Sequence, residues 1–157
     1  MTDFYSGDIE NVQNPVLGAY LVWRLCLSYQ IESEENGTIM HYCFLALPLC
    51  YDVNMSEAIR RTQKGSGLGK AVERISHNRE HLVRLPKEIK AYRLATTEAL
   101  AIGSQCGLLR MIYEEGRVRG IDAKTPRLPN RLSDLEKAAD KLGTWFGRLD
   151  LSVVSNL

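Results

Sequence analysis

A stretch without a polar face constrains this chain more than any other feature. After Asn14-Pro15, residues Val16 to about Tyr29 place Leu17, Ala19, Tyr20, Leu21, Val22, Trp23, Leu25 and Leu27 all round a helix. Asn14 is suited to cap that helix, and Pro15 to its first position, where a missing N–H costs little. A helix that is apolar on every side belongs either at the centre of a core or beneath another subunit. Its longest apolar run, Val16 to Trp23, stops at Arg24 and is too short to span a bilayer. Other elements therefore have to cover it.

The stretch Thr96–Ile121 (TTEALAIGSQCGLLRMIYEEGRVRGI) supplies a second organising unit. Thr96 reads as an N-cap, with Glu98 in the first turn where the helix dipole favours an anion. Gly107 supplies the left-handed residue on which helices commonly stop. Beyond it Leu109, Met111 and Tyr113 alternate with Arg110, Ile112 and Glu114, and Glu115-Gly116 marks the turn of a hairpin, with Val118 and Ile121 beyond it. A helix followed by a basic hairpin is the layout of a winged helix.

Arg110, Arg117, Arg119, Lys124, Arg127 and Arg131 lie on or just after that hairpin. On DNA, such residues would straddle the phosphate backbone while the preceding helix entered the major groove. That helix offers only Ser104, Gln105 and threonines as base readers. The reading favoured is therefore a hairpin that presents Arg110, Arg117 and Arg119 to a protein partner, with nucleic acid as the alternative.

The remaining segments predict a compact helical domain. Residues 1–13 read as a flexible or partner-bound arm, and Glu32 to Thr38 as a polar loop turning at Asn36-Gly37. Met40 to Tyr51 is apolar without alternation and reads as a helix broken near Pro48. Ser56 is expected to cap a short helix to Gln63. Another helix begins at Ser66 or Gly67 and reaches about His77. A further one covers Arg79–Tyr92, with Pro86 as a kink or boundary. After a connector from Asp122 to Arg131 come a capping box, Ser133-x-x-Glu136, and an amphipathic helix. Its apolar face carries Leu135, Ala138, Ala139, Leu142, Trp145, Phe146 and Leu149, and it is expected to end near Arg148. The fold class expected is mainly α with a small antiparallel β-hairpin, winged-helix-like. One domain would cover 14–149, with 150–157 as a tail. Tyr20, Trp23, Trp145 and Phe146 are the candidate protein-interface residues, because the apolar helices offer more surface than a monomer readily covers.

Charge is unevenly laid out behind a net of +1. Residues 1–56 carry −6, residues 57–93 carry +6 and the remainder +1. A middle block of that sign suits phosphates or an acidic protein face, and equally an ordinary solvated helix surface. Cys26, Cys43, Cys50 and Cys106 lie in apolar segments without C-x-x-C spacing, which points to free buried thiols in a reducing compartment. With no basic signal segment in Met1 to Gln13, a cytoplasmic protein is expected.

Motifs for chemistry are weak. Lys64–Lys70 (KGSGLGK) resembles a phosphate loop, but the first glycine position is Lys64, Ala71 replaces the hydroxyl residue and no buried strand precedes it; a flexible linker between helices is the better reading. His77 and His81 are spaced i, i+4, and with only His41 and Glu80 as further candidates they do not make a zinc site. Cys106 has no evident base and reads as core packing. No catalytic residue, metal, cofactor or small-molecule substrate is expected.

The order and spacing of a set of residues resembles the middle component of three-component ABC systems, the small subunit of Lamassu-like anti-phage operons. The set comprises Asn14-Pro15 with Leu17, Ala19 and Leu21, then Leu47-Pro48, the Ser56–Arg61 and Gly67–Ile75 helices, Thr96, Glu98-Ala99-Leu100, Gly103 and Gly107-Leu108-Leu109. It covers about residues 10–121. The resemblance implies a non-enzymatic subunit that bridges or regulates an SMC/Rad50-like ABC ATPase and an effector, guarding against phage or plasmid DNA. DNA would be touched, if at all, within the complex.

Overall fold

The computed structural model describes residues 14–76, 79–125 and 127–155. The arm at 1–13, His77 and the end of the tail lie outside these residues, as does the side chain of His81. The chain runs α1 (Pro15–Ser33), β1 (Thr38–Ile39), α2 (Met40–Tyr51), α3 (Val53–Arg61), a 3-10 turn (Lys64–Ser66), α4 (Gly67–Ser76) and α5 (Arg79–Ala91). It continues through α6 (Arg93–Gln105), β2 (Leu109–Ile112), β3 (Arg117–Gly120), a second 3-10 turn (Asn130–Leu132) and α7 (Ser133–Ser155). The molecule is mainly α with one small antiparallel sheet.

The apolar helix α1 is the hub. Asn14 Oδ1 accepts from the backbone N–H groups of Val16 (3.1 Å) and Leu17 (3.2 Å), as the sequence predicts. Leu21, Val22, Leu25, Cys26 and Tyr29 are fully buried. Gly18 faces Ala99 of α6 and Leu47 of α2, Cys26 faces Gly120 of β3, and Leu25 faces Gly143 of α7. A helix enclosed from four directions needs no second subunit to cover it.

The closest of these contacts is with α7, which lies parallel to α1. Tyr20 donates to Glu136 (3.1 Å), Arg24 makes a two-pronged bond to Asp140 (3.0 and 2.7 Å), and Arg148 donates to Glu32 (2.9 Å). Each pair is 116 positions apart in the chain, the signature of two helices advancing in the same direction. Gly143 and Gly147 allow this approach. A Cβ on Gly143 would collide with the Leu25 carbonyl oxygen, and one on Gly147 would lie 2.9 Å from that of Tyr29.

Several boundaries differ from those expected. α7 does not open on a capping box: the Ser133 hydroxyl donates to the Asn130 carbonyl (2.9 Å), and Glu136 is drawn to Tyr20 and Arg24. It also continues past Arg148 to Ser155, so the domain does not stop at 149, and Asp150 is buried. α2 runs on through Pro48 to Tyr51, and α5 through Pro86. Asp52, rather than Ser56, caps α3, accepting from Asn54 (3.0 Å) and Met55 (2.9 Å). Lys64–Ser66 is not a loose linker. Its Lys64 carbonyl accepts from Trp145 Nε1 (3.0 Å) and Arg148 (2.8 Å).

Thr96 is likewise not a cap. α6 starts three residues earlier, at Arg93, and Thr96 is fully buried inside it. The helix ends where the glycine signal puts it. Gly107 has φ +78°, Leu108 N–H bonds the Gly103 carbonyl (2.9 Å) and Gly107 N–H that of Ser104 (3.3 Å), the paired bonds of a left-handed helix stop. The hairpin turns through Tyr113–Gly116, with Gly116 at φ +63°. A third strand that the sequence hides completes the sheet: Thr38 pairs with Val118 and Ile39 with Arg117, giving the order β1-β3-β2. Two residues are too few to display an alternating pattern.

Placing a branched side chain at the α1–α7 crossing tests this architecture. Gly143→Val should destabilise the fold by about 1–3 kcal/mol or more in urea denaturation, because backbone has to move to admit it. Gly65→Ala, with open space around its Cβ, should be close to neutral. Equal stability of the two variants would contradict the glycine contact.

Candidate interaction surface

The hairpin sorts its side chains by face. Leu109, Met111, Val118 and Gly120 form one register set, of which Leu109 and Val118 are buried in the core. Arg110 lies directly opposite Arg119, and both are exposed. Like charges directly across a strand pair destabilise it. Neither arginine forms an ion pair among the described residues. Tyr113 at the turn is 77% exposed. Lys124 and Arg127 are exposed on the connector that follows β3. Arg127 also borders a groove of about 350 Å³ with Val16, Tyr20, Leu108, Leu128 and Leu132.

Arg117 does not belong to this surface. Its guanidinium donates to the Gly37 carbonyl (2.7 Å) and to Asp150 Oδ2 (2.8 Å), and Tyr29 OH donates to the same carboxylate oxygen. Burial alone would raise the Asp150 carboxyl; the hydrogen bonds from Arg117 and Tyr29, with the Arg117 charge, outweigh that and hold it below its ordinary value. Burial, then the bond to Asp150, pushes the Tyr29 hydroxyl far up. The arginine expected to greet a partner instead ties the sheet to α1 and α7. Sequence reading missed Asp150 because it was assigned to a tail.

The four aromatic interface candidates fare similarly. Trp23, Trp145 and Phe146 are buried at 3%, 1% and 3% exposure, and do not present an interface. Trp23 Nε1 donates to the Ile121 carbonyl (2.7 Å), so its one polar atom is satisfied inside the fold. Phe146 stacks on Tyr42 at 4.5 Å between ring centres. Tyr20 remains half-buried, its hydroxyl on Glu136 and its ring edging the groove beside Arg127. Helices α1 and α7 cover one another, which removes the apolar excess the sequence suggested.

Lys141 was also missed. It donates to the carbonyls of Arg60 (2.6 Å) and Thr62 (3.0 Å), supplying the end of α3 with a cation where unpaired carbonyls collect. Burial, with Lys137, Arg60 and Lys64 nearby, lowers its pKa. The cysteines are all free. Cys26 and Cys43 bring their sulfurs to 3.9 Å in the core and Cys50 is buried, but Cys106 is exposed at the end of α6 rather than packed inside. Among the described residues no three His, Cys, Asp or Glu side chains gather to hold a metal ion. No described helix is long and apolar enough to cross a membrane.

Two further concavities lie away from the hairpin. His41, Tyr42, Phe44, Leu45, Ile89, Arg93 and Thr97 border an open groove of about 490 Å³ between α2, α5 and α6. Helices α4 and α5 frame an apolar cavity of about 170 Å³.

Comparison with known proteins gives one match. A family model described as ABC-three component (ABC-3C) system Middle Component 3 matches residues 5–156. The chain belongs to that family. No curated protein and no solved structure matches it. A middle component of a multi-component system works with protein partners.

The Arg117–Asp150–Tyr29 cluster carries a pH signature. Asp150 titrates in the fold below the value of about 3.9 for an unfolded aspartate. Its stabilising effect is complete above that value and fades as pH falls through the depressed folded value. Asp150→Asn should therefore remove part of the acid-unfolding transition below about pH 4. Arg117→Ala, which strands the carboxylate, should lower stability at neutral pH by about 3 kcal/mol. An unchanged acid limb in Asp150→Asn would show that the cluster does not couple to folding.

Proposed function

We propose that this middle component is a non-enzymatic adaptor or regulatory subunit that links an SMC/Rad50-like ABC ATPase to a separate effector. The setting is the bacterial cytoplasm, in a complex directed against phage or plasmid DNA. The observation that carries the reading is the Arg110–Arg119 pair. The isolated chain holds two like charges opposite each other on the open face of a hairpin, a costly arrangement that an anionic partner would relieve. The element order supports a winged-helix-like reading, with a helix, a short strand, further helices, then a helix leading directly into the hairpin, whose second strand is central in the sheet.

A second reading places the same arginines, with Lys124 and Arg127, on DNA phosphates inside the assembled complex. Such binding would be blind to sequence. The exposed positions of α6 are Arg93, Leu94, Thr97, Glu98, Ala101, Ser104 and Gln105; with Arg93 at the start as its one basic residue, the helix is a poor reader of base edges.

Co-expression with the ATPase and effector subunits of the same system tests the adaptor reading. The expected result is co-elution in size-exclusion chromatography, weakened at least tenfold by Arg110→Glu with Arg119→Glu. A chain that elutes alone beside both subunits would end the proposal. DNA contact predicts duplex affinity that falls steeply with salt, with a slope that the same double variant flattens. A slope insensitive to those charges would rule out the hairpin as the DNA contact.

A further inference from the structure

The two sides of the small sheet are finished differently. On the side of β3 away from β2, β1 pairs through Thr38 and Ile39, and Met40 N–H bonds the Gly116 carbonyl (2.9 Å). Past Thr38, the Gln30 side chain of α1 takes the place of a strand. Its amide accepts from Gly120 N–H (2.6 Å) and donates to the Gly120 carbonyl (3.1 Å). That side of β3 is closed.

β2 has no such closure. Ile121 N–H bonds the Leu108 carbonyl directly across the hairpin (2.8 Å), which fixes the alternation of the ladder. In an antiparallel pair, residues bonded to the facing strand alternate with residues whose N–H and C=O point away from it. Arg110 and Ile112 therefore bond β3, while Leu109 and Met111 aim their backbone groups outward. None of those four groups has a hydrogen-bond partner among the described residues, and β3 is the one strand beside β2. Leu109 is buried and Met111 half-buried, so the edge opens at the end of β2 nearer the turn.

An open edge is a template for another strand, and the side chains of β2 specify which. An added strand alternates its side chains between the faces of the sheet in step with β2. On one face it lies beside Arg110, which already meets Arg119 across the hairpin; on the other it lies beside Met111, which packs against the core. A segment with Asp or Glu at the first position and an apolar residue at the next suits both. A second copy does not. Its β2, paired antiparallel through the outward groups of Leu109 and Met111, would set Arg110 against Arg110 of the other copy. A phosphate backbone brings charge and acceptors, but no donors for the outward carbonyls.

We infer that β2 is a docking edge for an acidic, extended segment of a partner subunit. The segment joins the sheet as a fourth strand, with Asp or Glu beside Arg110 and an apolar residue beside Met111. The inference rests on the adaptor reading and deepens it: the hairpin recognises backbone as well as charge.

Hydrogen exchange at residue resolution tests this, on the full chain alone and assembled with the ATPase and effector subunits of its system. In the free chain the Met111 amide should exchange fast and that of Arg110, bonded to β3, slowly. On assembly Met111 should slow at least tenfold. Met111→Pro removes an N–H that lies outside the ladder, at an edge position where proline is tolerated. It should weaken assembly at least tenfold while the isolated chain keeps its thermal midpoint, and Arg110→Glu should do the same. If the proline variant does not fold, exchange in the wild type decides alone. A complex that assembles while Met111 exchanges as in the free chain overturns the inference and leaves the adaptor reading standing. So does a complex weakened by Arg110→Glu but indifferent to a folded Met111→Pro. Failure to assemble overturns both. Met111 protection that rises with concentration of the chain alone assigns the edge to a second copy, and protection by duplex DNA alone assigns it to phosphates. Slow exchange in the isolated chain at every concentration assigns it to a segment of the chain itself. Each of those three results also overturns the inference.

Discussion

The rest of the structure depends on the close parallel approach of α1 and α7. Two helices pack backbone to backbone only where a side chain is missing, and Gly143 and Gly147 supply those gaps against the carbonyls of Leu25 and Tyr29. Once α7 is seated, its other faces organise what surrounds it. Lys141 and Trp145 hold the end of α3 and the following turn, Arg148 fastens both that turn and Glu32, and Asp150 receives Arg117 from the sheet. The polar pairs along the crossing, Tyr20 with Glu136 and Arg24 with Asp140, fix its register more than its strength. They are only partly buried, where ion pairs contribute little.

The same fold divides its arginines into two kinds. Arg24 and Arg117 are committed to carboxylates within the molecule, and Arg110 and Arg119 are left facing each other in solvent. Nothing in the local sequence separates Arg117 from Arg119. Both sit on one strand, two residues apart and so on one face. What distinguishes them is a carboxylate 33 positions further along the chain, brought into reach by the length of α7.

That contrast explains which features were legible in advance. Signals resolved within a few residues came through: the Asn14-Pro15 start, the Gly107 stop, the hairpin turning at Glu115-Gly116 and the helical character of Met40–Tyr51. Features settled by distant packing did not. Thr96 has the chemistry of a cap, yet tertiary burial extends its helix backward to Arg93. Trp23, Trp145 and Phe146 looked surplus to one domain because neither apolar helix reveals in its own sequence that the other covers it. The exposed arginine pair was recognisable as basic hairpin residues. The α4–α5 cavity was not, since it forms only where five helices meet.

Pairing the first helix with the last has a consequence for how the protein is made. Contacts 116 positions apart raise the contact order of the chain, and non-local pairing of this kind forms late in folding. During synthesis α1 is complete long before α7 exists, and the side of this apolar helix that α7 covers stays open until the last helix is made. Such an intermediate is open to aggregation.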